Sequence, residues 1–141
     1  MGRIMAVDYG RKRTGLAVTD TLRLIANGLT TVPSNETIRY IADYAERESL
    51  DLIVVGFPKQ MNNEPSENMK YVEGFVAQLK KKLPDMPITY YDERFTSVMA
   101  HQAMIDGGLK KKKRQEKGLA DEISAVFILQ GYMENLKVNN Q

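Results

Sequence analysis

Arg3-Ile4-Met5-Ala6-Val7-Asp8-Tyr9-Gly10-Arg11-Lys12-Arg13-Thr14-Gly15-Leu16-Ala17-Val18-Thr19 is the stretch that decides the fold. Arg3–Asp8 and Thr14–Thr19 are short apolar or alternating segments. The charged, glycine-containing Tyr9–Arg13 segment joins them, so the whole reads as a β-hairpin. Working outward, Leu29–Val32 is a third strand, ended by Pro33. Asn35–Glu48 places Ile38, Ile41, Ala42 and Ala45 at helical spacing. Leu52-Ile53-Val54-Val55 is an unbroken apolar run that ends in Gly56-Phe57-Pro58, the mark of a buried strand running into a loop. Met69, Val72, Val76, Leu79 and Leu83 form the stripe of a second helix that stops before Pro84. Ile88–Tyr91 is a fifth strand, Ser97–Asp106 a short helix with Thr96 at its start, and Glu122–Leu136 a buried final helix. The order predicts an α/β fold: a five-stranded mixed sheet with an antiparallel hairpin start, then βαβ crossovers, flanked by helices. No repeat or linker divides the chain, and residues 1–141 read as a single domain.

Three acids stand where apolar elements meet polar ones: Asp8 after Ile4–Val7, Glu93 after Ile88–Asp92, and Asp121 just before the final apolar stretch. Carboxylates in such places cost solvation energy unless something positive compensates them, and a shared divalent cation is one compensator. The ends of neighbouring strands lie about 5 Å apart, and a packed helix can bring its N-terminus to them. Asp8 and Glu93 are therefore expected to share one sheet edge, and Asp121, in the first turn of the final helix, to complete the cluster. Alternation puts Ile88, Tyr90 and Asp92 on one face and Thr89, Tyr91 and Glu93 on the other, so only one of Asp92 and Glu93 points into the site directly. Hard oxygen donors suit Mg²⁺ or Mn²⁺. Two such ions about 4 Å apart activate a water and stabilise the leaving oxygen of a phosphodiester. Plainer roles exist for each acid: a turn cap for Asp8, a surface ion pair for Glu93, and a helix-dipole contact for Asp121. The conjunction of all three favours function.

Bulk properties narrow the field. The chain has 141 residues, 43% hydrophobic and 27% charged, which suits one soluble globular domain. It has no cysteine, which excludes a disulfide framework and a thiolate zinc site. Its one histidine, His101, reads as a helix-surface residue, so nucleophilic triads have little support. Arg3, Asp8 and Arg11 interrupt any signal peptide, and no run approaches the ~20 apolar residues of a membrane helix. A cytoplasmic location is expected. The net charge of +2 conceals a local asymmetry, since Lys110, Lys111, Lys112, Lys113, Arg114 and Lys117 face only Glu116 between residues 110 and 117. Such a run holds a polyanion through phosphate contacts and counterion release, unless it is only a solvated loop. Its place just before Asp121 favours nucleic acid.

With these residues in hand, the chain resembles the YqgF (RuvX) family of the RNase H-like superfamily. Four blocks carry the resemblance, in order along nearly the whole chain: Asp8-Tyr9-Gly10-Arg11-Lys12-Arg13-Thr14-Gly15-Leu16-Ala17, Gly56-Phe57-Pro58, Asp92-Glu93-Arg94-Phe95-Thr96-Ser97, and Asp121-Glu122-Ile123-Ser124-Ala125-Val126-Phe127-Ile128-Leu129-Gln130. The resemblance implies an RNase H-like fold and a metal-dependent nuclease. Family members are described as nucleases maturing the 5′ end of pre-16S ribosomal RNA and, earlier, as Holliday junction resolvases. Carried over by motif, Asp8, Glu93 and Asp121 are the expected catalytic and metal-binding acids. Arg11, Lys12, Arg13, Arg94 and Lys110–Arg114 are the expected nucleic-acid-binding residues.

The expected partner is structured RNA, such as a ribosomal precursor, or branched DNA, with the chain acting as a monomer or homodimer and without a membrane. Two rival readings remain. One is an RNA-binding module that does not cut. The other is a single-lobe nucleotide binder akin to actin-like and sugar-kinase ATPases, which also open with an Asp-x-Gly hairpin but close two lobes around their nucleotide.

Overall fold

A computed structural model of the chain describes residues 2–23, 25–57, 69–92 and 117–139. Within them lie β1 (Arg3–Tyr9), β2 (Arg13–Thr19), β3 (Ala26–Pro33), a 3₁₀ turn (Ser34–Glu36), α1 (Thr37–Arg47), β4 (Leu50–Phe57), α2 (Met69–Lys82), β5 (Ile88–Asp92) and α3 (Lys117–Asn139). The expected short helix at Ser97–Asp106 falls outside the described residues.

One sheet holds the five strands in the order β3-β2-β1-β4-β5. The hairpin is antiparallel, with Met5 opposite Val18 and Asp8 opposite Gly15, and the amide of Gly10 donates to the carbonyl of Arg13 at 3.0 Å to close its turn. β3 continues antiparallel along the whole of β2, from Arg13 opposite Pro33 to Thr19 opposite Ala26. It is therefore twice the length expected from Leu29–Val32. Pairing along a full partner strand overrides the poor strand propensity of Asn27 and Gly28, and Pro33 is tolerated because β3 is an edge strand. β4 pairs parallel with β1, and β5 parallel with β4. The mixed sheet is thus as expected, and three parallel strands end on one side of it.

Alternation along the strands divides the core. Met5, Val7, Leu16, Val18, Ile53 and Val55 face α1 and α2, where they pack on Ile41, Tyr44, Val72, Phe75, Val76 and Leu79. Ile4, Ala6, Ala17 and Val54 face α3 and meet Ala125, Ile128 and Leu129. The alanines on this second face let α3 lie close to the sheet.

The final helix differs from expectation at its start. It begins at Lys117, so Asp121 lies in its second turn and not its first. Leu119 and Ala120 are good helix formers, and the helix continues upstream through them without needing a cap at Asp121. The dipole explanation for Asp121 loses its force accordingly, because that effect fades beyond the first turn. Among the described residues, no helix is long and apolar enough to cross a membrane.

Candidate active site at the end of the parallel strands

Asp8 is the penultimate residue of β1 and is half-buried. It shares its face of the sheet with Ile4 and Ala6, the face that α3 covers. Opposite it on β2 is Gly15. A Cβ built on Gly15 would run into the backbone carbonyl of Asp121. Helix α3 therefore crosses the hairpin at the one rung where β2 has no side chain, and the absent Cβ lets the Asp121 backbone pass over the residue paired with Asp8. Glu122, the next acid, goes elsewhere: its side chain lies over Gly28 on β3.

The carboxylate of Asp121 already has a cationic neighbour. Arg13 donates from Nε to Asp121 Oδ2 at 3.0 Å. Arg13 begins β2 on the far side of the turn from Asp8, so the hairpin itself carries this cation to the site. Both partners are partly exposed, and such pairs add little to stability. Their interest is electrostatic, since a carboxylate in this corner is compensated by positive charge. Sequence reasoning assigned Arg13 to phosphate contacts alone and missed this pairing. Residues 108 positions apart in sequence leave no local signal of it.

The strand order corrects the expected route from Asp8 to Glu93. β1 and β5 are not neighbours, because β4 lies between them. Two inter-strand spacings separate them, about 10 Å rather than 5 Å. Val7 is level with Val55 and Val55 with Tyr90, and one step on Gly56 is level with Tyr91. Asp8 follows Val7, so the strand that intervenes presents a glycine at Asp8's level. Tyr91 packs on the α3 side of the sheet. Tyr90 faces α2: burial, then Glu73 on that helix, pushes its phenol above the ordinary tyrosine range. Glu93 itself lies outside the described residues, as do Arg94 and Lys110, Lys111, Lys112, Lys113 and Arg114.

Among the described residues, no three acid, histidine or cysteine side chains gather as a metal site. Of the three expected carboxylates, Asp8 and Asp121 lie within the described residues, on β1 and on the helix that crosses the hairpin. Their donor chemistry, oxygen only and at the sheet end, fits a hard divalent cation. Arg11 and Lys12 sit exposed in the hairpin turn, and the Arg11 guanidinium lies over the ring of Tyr71 on α2, 4.5 Å from its centroid.

Comparison with known proteins agrees with this fold. A protein of Parabacteroides distasonis named "Putative pre-16S rRNA nuclease" is 69% identical over 137 residues, covering 97% of this chain and 98% of its own length. A protein of Bacteroides fragilis with the same name is 62% identical over 138 residues, covering 98% of this chain and all of its own. Among solved structures, T. thermophilus RuvC in complex with Holliday junction substrate superposes with a TM-score of 0.56 at 18% identity, over 97% of this chain and 96% of that one. That likeness makes the fold RNase H-like. The model of the RuvX family, described as Holliday junction resolvase, matches residues 2–135. This chain belongs to the RuvX family.

Proposed function

We propose that the chain is a divalent-metal-dependent nuclease that hydrolyses phosphodiester bonds in structured nucleic acid, acting on the 5′ end of a 16S ribosomal RNA precursor. The observation that carries this reading is the passage of the Asp121 backbone over Gly15, the residue paired with Asp8, at the end of the parallel strands. The names of the 69% and 62% identical relatives support the choice of RNA. A cytoplasmic location follows from that substrate.

Asp8 and Asp121, joined by Glu93, would hold the ions. Mg²⁺ or Mn²⁺, two ions in the expected arrangement, supplies a water activated for attack and charge neutralisation at the leaving oxygen. Gly56 keeps β4 from placing a side chain between Asp8 and the strand that leads to Glu93. Arg13 balances Asp121 in the free protein and is close enough to turn to a substrate phosphate when that carboxylate is otherwise engaged. Arg11, Lys12, Arg94 and Lys110–Arg114 grip phosphates on either side of the cut bond.

Metal-dependent cutting is tested by incubating wild type and Asp121→Asn with a transcript spanning the 5′ end of the 16S sequence, in Mg²⁺, in Mn²⁺ and in EDTA. Cleavage is expected only in wild type with metal, and cleavage in EDTA would sink the mechanism. Arg13→Gln is expected to tighten Mn²⁺ binding about three- to tenfold in calorimetry without nucleic acid, because the cation no longer competes with a guanidinium. Unchanged or weaker binding would show that Arg13 does not balance the site. Neutralising Lys110–Arg114 is expected to flatten the salt dependence of RNA binding by roughly 0.7–0.9 in log–log slope for each phosphate that the run no longer neutralises. An unaltered slope would make that run a solvated loop.

A second reading, resolution of four-way DNA junctions, is favoured by the family description and by the RuvC-like fold. Cutting a two-fold symmetric junction would call for a homodimer, whereas a precursor RNA can be cut by a monomer.

A further inference from the structure

Asp8 and Tyr9 are consecutive on β1 and so point to opposite faces of the sheet. The acids lie on the α3 side. On the other side, the end of β1 borders a cleft of about 300 Å³, lined among others by Tyr9, Asn35, Lys70, Tyr71, Gly74 and Phe75. Its inner wall is fixed. Tyr9 stacks on Phe75 with ring centroids 4.5 Å apart and planes at 16°. The 3₁₀ turn that carries Asn35 is tied to the hairpin by Ser34, whose hydroxyl donates to the carbonyl of Gly10 at 2.5 Å. That hydroxyl's only proton is thereby committed, so Thr14 Oγ1 must be the donor in the buried 3.0 Å bond to Ser34 Oγ.

The outer wall is of different character. Tyr71 is 49% exposed, so burial does not account for it, and the Arg11 guanidinium lies over its ring. Lys70 adds a second positive charge. Gly74 then stands inside α2, where glycine is less favourable than alanine. Nothing lies within 4 Å of a Cβ built there, so no packing constraint demands the glycine. What it does is leave the cleft open beside Tyr71.

We propose that this cleft is a nucleobase subsite, holding one unpaired base of the substrate strand beside the phosphate that is cut at Asp8. The proposal rests on the nuclease reading and adds to it a place for the flanking nucleotide. A base has a flat π face that stacks on a tyrosine ring or on a guanidinium whatever its identity. The amide of Asn35 can hydrogen-bond a base edge, and Lys70 and Arg11 neutralise the neighbouring phosphates. A strand crossing the end of β1 would meet the acids on one face of the sheet and the cleft on the other. Its base would then fix the register of the scissile bond.

The test uses the full chain carrying Asp8→Asn, which is expected to bind without cutting. Fluorescence anisotropy reads the affinity for a labelled 12-nucleotide single strand, as RNA and as DNA of the same sequence. Tyr71→Ala is expected to weaken binding about tenfold, and equally for RNA and DNA, since both offer the same π faces. Tyr71→Phe is expected to retain the parent affinity. Gly74→Leu fills the cleft without removing any group, and should weaken binding to a similar degree while raising the thermal midpoint. Affinities unchanged by both Tyr71→Ala and Gly74→Leu would overturn the subsite, as would an equal loss in Tyr71→Phe or a single strand that the parent fails to bind. Cleavage of structured RNA by the wild type, run alongside, separates the two readings. Cutting with Tyr71-independent binding overturns the subsite alone, whereas Tyr71-dependent binding without cutting overturns the nuclease reading alone.

Discussion

The Asp8→Asn variant is expected to lose phosphodiester cleavage by at least about 10²–10³-fold while remaining folded. Asparagine keeps the shape of the side chain and removes its charge. Electrostatic groups in an active site are commonly worth that much when a single one is removed, and a metal ligand carries charge as well as position. Asp8 is half-buried at the end of β1 and contributes nothing to the apolar clusters on either face. Its replacement should therefore leave the thermal midpoint within a few degrees of the parent. Mn²⁺ affinity, read by calorimetry, should fall together with the rate. A variant that keeps its rate, or one that loses rate only because it unfolds, would remove Asp8 from the site. A retained rate in Glu93→Gln and Asp121→Asn as well would remove the whole triad.

The second large effect concerns Gly15 and needs no chemistry. Gly15→Val puts a branched side chain where the backbone carbonyl of Asp121 already lies. Backbone cannot yield as a flexible side chain does, so α3 must move off the sheet or the hairpin must distort. Overpacking of this kind costs about 1–3 kcal/mol and occasionally more, and here the upper end is expected because a helix that packs on β1, β2 and β3 is displaced. A lower chemical-denaturation midpoint and a loss of Mn²⁺ affinity should appear together, since Asp121 travels with the helix. Loss of stability with intact metal binding would mean that Asp121 does not depend on this crossing for its position. The milder Gly15→Ala should show the same pair of effects in smaller measure.

The hairpin was legible because its two halves carry their own signals: an apolar run, a charged turn with Gly10, and a second short apolar run. Asp8 was legible for the same reason, as a carboxylate at the end of a core strand. The mixed sheet also followed from local pattern. The length of β3 did not. Asn27 and Gly28 are poor strand formers, and only the ladder to β2, which resumes past a bulge at Leu29, extends the strand through them. The start of α3 was hidden because Lys117–Ala120 lacks an apolar stripe of its own. The position of β4 between β1 and β5 is a property of topology and no residue announces it, although Gly56 makes the arrangement workable by leaving Asp8's level clear. The Arg13–Asp121 pair lay beyond sequence reading because it joins the hairpin to the last helix. The cleft was missed for a different reason. Tyr9, Tyr71 and Gly74 each have an ordinary reading alone, and the alternation that sent Asp8 to one face had already sent Tyr9 to the other.

The most direct measurement sets wild type and Asp8→Asn side by side on two substrates, a transcript spanning the 5′ end of 16S ribosomal RNA and a four-way DNA junction, each with Mn²⁺. Wild type is predicted to cut the transcript at a defined position and Asp8→Asn to leave it intact. Equal cleavage of the transcript by both proteins would contradict the assignment of the acidic site, and cleavage of the junction alone would contradict the assignment of RNA as the substrate.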